Sequence, residues 1–243
     1  MTIEQTGQFV RDFLPLVEDM CDQVEIVICP PYTAVRDLAA ALSGSGITVA
    51  GQDLWVGPGE AHTGAISGPL LADAGAAWVM VGHWEVRRRL GLRKWLGYGD
   101  FVVNQQIHAA LATGLRPIIL IGEEYDDIFD PSRLALLLDG CSGEQVEQMI
   151  LAYEPEGAIG HTEPVSPQHA ADGCQAIRHW LVSQYGQEAT AQARIIYGGS
   201  VPPQHAQDLL ANPNVDGLGT SRQGRNPFSF AAIVRRIAES KGE

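Results

Sequence analysis

Hydrophobic positions along the chain fall into two alternating patterns. One is a short apolar run, often β-branched and bounded by turn-forming residues, which is typical of a buried strand. Such runs predict seven strands, at 24–29, 47–51, 76–82, 115–122, the end of 143–154, 193–199 and 215–219. The other has helical spacing and predicts helices at 2–20, 34–42, 68–75, 100–114, the start of 143–154, 166–186, 202–211 and 227–240.

Strands that alternate with helices predict βαβ units and a parallel sheet. Residues 2–20 have helical spacing and no strand precedes them, so seven strands stand against eight helices. We therefore predict an α/β fold, a (β/α)8 barrel whose first strand is absent from this sequence. No linker or shift in composition divides the chain, which favours one barrel domain over residues 1–243.

Charge narrows the classes of partner. The chain has 243 residues, 45% of them hydrophobic, and a net charge of −13 with a pI near 4.9. An acidic surface repels phosphate backbones and anionic lipids, which argues against nucleic acid or membrane as the main partner. If the ligand is an anion, local backbone N–H groups would have to hold it against the negative electrostatic potential of the whole protein.

The compartment is predicted from the cysteines and from the start of the chain. Cys21, Cys29, Cys141 and Cys174 form no C-x-x-C pair, which favours reduced thiols in the cytoplasm. No apolar run is long enough to span a membrane, and the opening residues do not have the pattern of a signal peptide.

Polar and glycine residues follow four of the predicted strands. Parallel α/β folds form their sites at the carboxyl ends of strands. The residues at these ends are His83 and Glu85, then Glu154, then Gly198, Gly199 and Ser200, then the segment from Gly219 to Arg222. Four such ends together predict an active site more strongly than any one of them.

Each of these features also has an ordinary structural interpretation. Glu154 could cap a helix or form a salt bridge, and His83 could be a core histidine with its hydrogen bonds satisfied. Ser200 could be a helix N-cap, and 217–224 a flexible loop. The basic run 87–94 is interpreted as a solvated face, although its position right after His83 leaves a role in ligand binding open. Glu123 and Glu124 are interpreted as structural acids that pair with arginines.

Several motifs resemble the triosephosphate isomerase family. They are VMVGHWEVRRR, AYEPEGAIG and IIYGGSV followed by NPNVDG, with CPPYTAV, AHTGAIS and LIGEE in the family's order and at compatible spacing. The resemblance covers nearly the whole chain, and the pair A-Y-E-P and Y-G-G-S-V is highly specific. It implies a TIM barrel that interconverts an aldose phosphate and a ketose phosphate through an enediol, without a cofactor.

The resemblance also implies roles for individual residues. Glu154 matches the base, His83 the electrophile and Glu85 an acid that organises the site; this family is itself a standard example of a glutamate base with a neutral histidine. Loop 155–163 would close over the substrate and exclude water. Gly160 and Ser200 match phosphate contacts, and Gly199, Ser221 and Arg222 occupy the phosphate-loop regions.

The chain departs from the family pattern at several positions. No residue matches the lysine of the family's Asn-x-Lys segment, so either an upstream segment is missing from this sequence or the protein lacks the first strand. The first explanation is favoured because the other site residues are intact. Ser221 and Arg222 replace two glycines, Trp84 replaces a serine, Gly157 replaces a tryptophan and Leu120 replaces a cysteine.

These departures leave three alternatives to a triose phosphate isomerase. One is an isomerase of a longer sugar such as a tetrulose phosphate, another a catalytically silent relative that only binds a phosphorylated metabolite, and the third a lyase on a phosphate-binding barrel. The histidines lack metal-ligand spacing, and there is no nucleotide-binding glycine motif, so no metal and no cofactor are predicted.

Thr63 lies in a segment that in the family enters a neighbouring subunit, which implies a homodimer; an ordinary surface loop is the alternative.

Overall fold

The computed structural model describes residues 1–57, 62–89, 98–122, 130–155 and 165–241. In these ranges the strands are β1 (Val27–Ile28), β2 (Thr48–Gly51), β3 (Trp78–Val81), β4 (Arg116–Ile121), β5 (Ile150–Tyr153), β6 (Arg194–Gly199) and β7 (Gly217–Thr220). Six lie inside predicted strands, and β7 extends one residue past its predicted end. The seven predicted strands are therefore confirmed.

The helices of the described ranges are α1 (Ile3–Phe13), α2 (Val35–Ala41), α3 (Gly68–Asp73), α4 (Trp84–Arg89), α5 (Tyr98–Ala112), α6 (Arg133–Leu137), α7 (Gly143–Glu147), α8 (Pro167–Tyr185), α9 (Ala206–Leu210) and α10 (Pro227–Lys241). The sequence prediction contains neither α4 nor α6. Both are short, and α4 is rich in charged residues, so neither carries enough apolar periodicity to be detected.

All seven strands are parallel and follow the order β1 to β7 across one sheet. This arrangement confirms the predicted α/β barrel with seven strands. Within the described residues, neither β1 nor β7 pairs with another strand on its outer side, so a seam separates these two edges. The assignment of the whole chain to one domain stays a prediction.

Local sequence explains where several helices begin and end. Thr2 and Gln5 form a capping box at the start of α1, and Ser166 caps α8 with Pro167 at the first helical position, as predicted. The predicted helix 2–20 instead ends as an α-helix at Phe13 and continues as two 3-10 turns. Pro15 accounts for the change because it has no N–H group to continue the α-helical hydrogen bonds.

The alternating faces of the strands divide the apolar residues into two clusters. Residues such as Ile119 and Ile121 pack outwards against the helices, whereas the smaller cluster faces inwards. That inner cluster consists of Ala50, Trp78, Ile118, Leu120, Ile150 and Ala152. Burial of one such large side chain contributes about 1.5–3 kcal/mol, and the alternation fixes which strand residues point into the barrel.

Polar side chains hold the amino-terminal end of the barrel together. Glu25 accepts a hydrogen bond from Arg116 and forms an ion pair with Arg194, each at 3.0 Å, and the Arg116 guanidinium lies 3.7 Å from the centre of the Trp78 ring. The loops that carry the predicted site lie at the opposite end of the strands.

In the described ranges, no helix combines the length and the apolar character that a membrane crossing requires.

Candidate active site

A cleft of about 1280 Å³ extends through the barrel, from Glu25 and Arg194 at the amino-terminal ends of the strands to the loops at their carboxyl ends. The predicted site residues that line it are His83, Glu85, Glu154, Gly199, Ser200, Ser221 and Arg222. They come from four strand ends that are distant in sequence. The fold therefore brings together the constellation that the sequence predicts.

His83 follows β3 after Gly82, which adopts a left-handed backbone with φ of 79°. A side chain at Gly82 would be strained there and would lie 3.2 Å from the Leu120 carbonyl oxygen. The backbone N–H of Glu85 donates to Nδ1 of His83 at 3.3 Å. In the neutral imidazole the proton is therefore on Nε2, which is turned towards Glu154.

The surroundings of His83 favour its neutral form. The side chain is 20% exposed, and burial lowers the pKa of its imidazole below the ordinary 6.5, although the negative charge of Glu85 acts in the opposite direction. A neutral imidazole with its proton on Nε2 can donate a hydrogen bond to a negatively charged oxygen that develops on the substrate.

Glu154 lies directly after β5, and its backbone N–H donates to the Ile121 carbonyl oxygen at 2.6 Å. Its side chain is 14% exposed, and its Oε2 lies 3.6 Å from Nε2 of His83. Burial, with a smaller contribution from the charge of Glu85, raises the pKa of the Glu154 carboxyl to about 7. A carboxylate with this pKa is a stronger base than an ordinary one at neutral pH.

Glu85 stands at the edge of this pair. It lies in the first turn of α4, its side chain is 70% exposed, and its Oε2 is 4.0 Å from Nδ1 of His83. Its charge raises the pKa of both His83 and Glu154. The structure thus gives Glu85 an electrostatic influence on the pair, and its predicted role as an organising acid stays a prediction.

The two predicted phosphate segments lie side by side. Gly198 of β6 pairs with Gly219 of β7, and Gly199 pairs with Thr220, so Ser200 and Ser221 leave adjacent strands at the same level. Gly199 has a φ of 150°, and a Cβ at Gly198 would lie 3.5 Å from the Glu154 side chain. The distance at Gly198 is an ordinary van der Waals contact, whereas the backbone of Gly199 has a conformation that favours glycine.

Two predicted positions are not among the described residues that line the cleft. Gly160, with Gly157 and most of the loop 155–163, is outside the described residues, as are Glu123 and Glu124. Thr63 is exposed, in a turn between β2 and α3, next to His62, whose ring centre lies 4.8 Å from that of Trp55. It does not line the cleft of its own chain.

Trp84 also lines the cleft, with its ring centre 6.1 Å from that of His83. Its indole Nε1 is buried and has no hydrogen-bond partner among the described residues. The bulky ring thus occupies space beside His83.

The interpretation of 87–94 as a solvated basic face is wrong for Arg87. Its side chain is 16% exposed, and Nη1 donates to the buried Asp100 carboxylate at 2.7 Å. Sequence reasoning missed both residues of this pair. The available signal was the only acidic residue of α5, at the start of the helix and shortly after an arginine run.

A family model described as triosephosphate isomerase matches residues 1–237. Triosephosphate isomerase of Symbiobacterium thermophilum is 39% identical over 99% of this chain and 94% of its own length. That of Carboxydothermus hydrogenoformans is 35% identical over 96% of this chain and 92% of its own length.

A solved structure gives the same picture at the level of the fold. The crystal structure of triosephosphate isomerase from Bartonella henselae superimposes with a TM-score of 0.82 at 28% identity. The superposition covers 97% of this chain and 94% of the other.

Proposed function

The chain belongs to the triosephosphate isomerase family, and from that premise we propose that it interconverts an aldose phosphate and its ketose isomer through an enediol. Membership supports a sugar-phosphate isomerase. We further propose that the substrate is glyceraldehyde 3-phosphate with dihydroxyacetone phosphate, or a close homologue. Glu154 serves as base and His83 as electrophile.

One observation carries the mechanism. The carboxylate of Glu154 and the Nε2 atom of His83 lie 3.6 Å apart in the same cleft, which is too far for a hydrogen bond between them. Both groups are therefore available to a substrate. The pKa of Glu154, raised to about 7, makes its carboxylate a stronger base once it is ionised, and the lowered pKa of His83 favours the neutral imidazole that its role requires.

The reaction is a proton transfer within one sugar phosphate. The Glu154 carboxylate removes a proton from the carbon next to the carbonyl, and the electrons of that C–H bond move towards the carbonyl oxygen. The Nε2–H group of His83 stabilises the negative charge that develops on this oxygen. The hydroxyl proton on the oxygen of the first carbon passes to the oxygen of the former carbonyl, and return of the abstracted proton to the former carbonyl carbon then gives the other isomer, so no atom is gained or lost.

The phosphate group is proposed to bind at the adjacent ends of β6 and β7. Backbone N–H groups around Gly199, Ser200 and Ser221 suit an anion because such groups bind it without a lysine. Arg222 adds a positive charge at the rim of the cleft. Gly160 is proposed as a further backbone contact when the loop 155–163 closes.

A second candidate is a relative that binds a phosphorylated metabolite and does not turn it over. The observation that favours it is that no lysine is present among the residues that line the cleft in the described ranges. The two candidates differ in turnover and share the phosphate contacts.

The test is exchange of substrate hydrogen with solvent, followed by NMR in deuterated water for a panel of triose and tetrulose phosphates. We expect exchange and isomerisation with at least one of them, and a loss of about 10²–10⁴-fold in kcat for Glu154→Gln. Glu239→Gln, on the exposed face of α10, is the matched control and should leave kcat unchanged.

Each alternative gives a distinct result in that experiment. Binding in a calorimeter without any exchange would select the silent relative. Products with fewer carbon atoms would select a lyase. Preferential turnover of the tetrulose phosphate would assign the longer sugar as substrate.

We also propose a homodimer in which Thr63 contacts the neighbouring subunit. Large side chains near this turn are exposed: Trp55 and Tyr32 at 40%, and Val56 at 36%. Burial of these groups against a second copy would remove apolar surface from water.

All four cysteines are free thiols, which supports the proposal of a cytoplasmic protein.

A further inference from the structure

We propose that Asp100 is a positioning residue: through Arg87 and Arg133 it fixes the two backbone carbonyls next to His83 and Glu154. The inference rests on the proposed function, because it concerns how these two side chains are held for the proton transfer. Asp100 itself does not line the cleft.

Asp100 is the centre of a buried ionic cluster. Its side chain is only 4% exposed, and Oδ1 accepts hydrogen bonds from Arg87 Nη1 at 2.7 Å and from Arg133 Nη2 at 2.9 Å. Oδ2 accepts a third, from Arg133 Nε at 3.0 Å. Planar guanidinium groups held by several short bonds have little freedom to rotate, so the carboxylate sets where both of them point.

Arg87 connects this cluster to His83. Its Nε donates to the Gly82 carbonyl oxygen at 2.8 Å while its Nη1 is held by Asp100. Gly82 is the residue immediately before His83, and its left-handed backbone sets the direction in which the chain leaves β3. A fixed Gly82 carbonyl therefore restrains the peptide from which the imidazole projects.

Arg133 connects the same cluster to Glu154. Its Nη1 donates to the Gly122 carbonyl oxygen at 2.8 Å. Gly122 packs so closely on the next strand end that a Cβ there would lie 2.0 Å from the Glu154 carbonyl oxygen. Displacement of the Gly122 peptide would therefore displace the backbone of Glu154.

A role in stability alone explains this cluster poorly. A buried ionic group must compensate for lost hydration, so such clusters are weak contributors to net stability even when their geometry is good. Their fixed geometry suits the placement of neighbouring groups, and a displacement of 1 Å at a reacting group lowers a rate by about 100-fold.

The opposite end of the barrel offers a matched control. Glu25 also lies between two arginines, with a hydrogen bond from Arg116 and an ion pair with Arg194, but at the amino-terminal ends of the strands. Glu25→Gln and Asp100→Asn thus each remove a carboxylate charge that faces two arginines, although the Glu25 side chain is 29% exposed and that of Asp100 only 4%. Only the second cluster touches the peptides next to His83 and Glu154.

The experiment compares Asp100→Asn with Glu25→Gln in the full chain. We expect Asp100→Asn to lower kcat by about 30-fold with KM changed by less than about threefold, whereas Glu25→Gln changes kcat by less than about threefold. We also expect Asp100→Asn to shift the ring nitrogen signals of His83 and the carboxyl titration of Glu154 in NMR spectra. Equal losses of kcat in the two variants at equal melting temperature would overturn the proposal.

Arg87→Lys and Arg133→Lys separate the two arms and replace Asp100→Asn if that variant does not fold. Lysine cannot keep both hydrogen bonds of Arg87 or all three of Arg133, because it lacks the planar fork. We expect Arg87→Lys to shift mainly the His83 signals and Arg133→Lys mainly the Glu154 titration. Unchanged signals in both variants would overturn the inference.

The NMR signals also separate this inference from the proposed function. A wild-type protein that exchanges no substrate hydrogen would contradict the proposed function. The His83 and Glu154 signals would still decide whether Asp100 positions them, because they are measured without substrate.

Discussion

The Nε2 atom of His83 and the Oε2 atom of Glu154 lie 3.6 Å apart although 71 positions separate the two residues in the chain. They stand at the ends of β3 and β5, with β4 between these strands in the sheet. Both side chains are largely buried, so each alters the charge state that its neighbour can adopt. Four predictions follow from this pair and its surroundings.

The first concerns the pH dependence of stability. The pKa of Glu154 is about 7 in the folded protein against 4.5 for an ordinary glutamate, so the folded state binds this proton more tightly than the unfolded state. The group therefore costs stability increasingly as pH rises from 4.5 to about 7. Glu154→Gln should be more stable than wild type above about pH 7, by on the order of 3 kcal/mol.

Urea unfolding of the two proteins at several pH values measures this difference. The gap should close at acidic pH, where the glutamate is protonated in both states. A gap of equal size at acidic and alkaline pH would contradict the raised pKa of Glu154.

The second prediction concerns the rate. The base must be ionised, so kcat/KM should rise with pH to a plateau, with an apparent pKa of the free enzyme near 7, after correction for titration of the substrate phosphate. His83 should cause no fall at alkaline pH, because burial already favours its neutral form. Measurement of initial rates across this range tests the assignment, and a decline just above pH 7 would show that a protonated imidazole is needed.

The third prediction concerns the close approach at Gly122. Gly122→Ala would place a methyl group 2.0 Å from the Glu154 carbonyl oxygen, so β4 and β5 must separate at their ends. We expect a loss of about 2–3 kcal/mol in the free energy of unfolding together with a fall in kcat. Chemical denaturation and initial-rate kinetics measure the two effects.

A helical glycine supplies the control. Gly7 lies in α1, and the nearest atom to a Cβ there is Arg11 Nη1, at 3.5 Å. Gly7→Ala should raise stability by about 1 kcal/mol and leave kcat unchanged. Similar behaviour of the two alanine variants would contradict the steric argument.

The fourth prediction concerns association. Thr63→Arg introduces a bulky charge at the exposed turn and should weaken the proposed dimer, since an unpaired charge is costly to bury. Sedimentation velocity over a range of concentrations measures the effect. Glu188→Arg is an exposed control on another part of the surface and should leave the sedimentation coefficient unchanged. A wild-type protein that sediments as a monomer at every concentration would exclude the dimer.

Much of the architecture was determined by the sequence itself. The hydrophobic patterns of buried strands and amphipathic helices involve only neighbouring residues. Such local patterns therefore locate β1 to β7 and most of the helices. The same patterns put His83 and Glu154 directly after strands, where a parallel sheet collects its polar groups. The hydrophobic pattern does not predict α4, because this helix is short and charged and has no apolar stripe.

Only the tertiary structure decided the environment of these residues. The 3.6 Å distance and the raised pKa of Glu154 depend on burial by segments far away in the chain. Asp100 meets Arg87 across 13 positions and Arg133 across 33, and no local pattern specifies such pairings. Periodicity is a property of neighbouring residues, whereas the charge state and orientation of a buried group depend on everything packed around it.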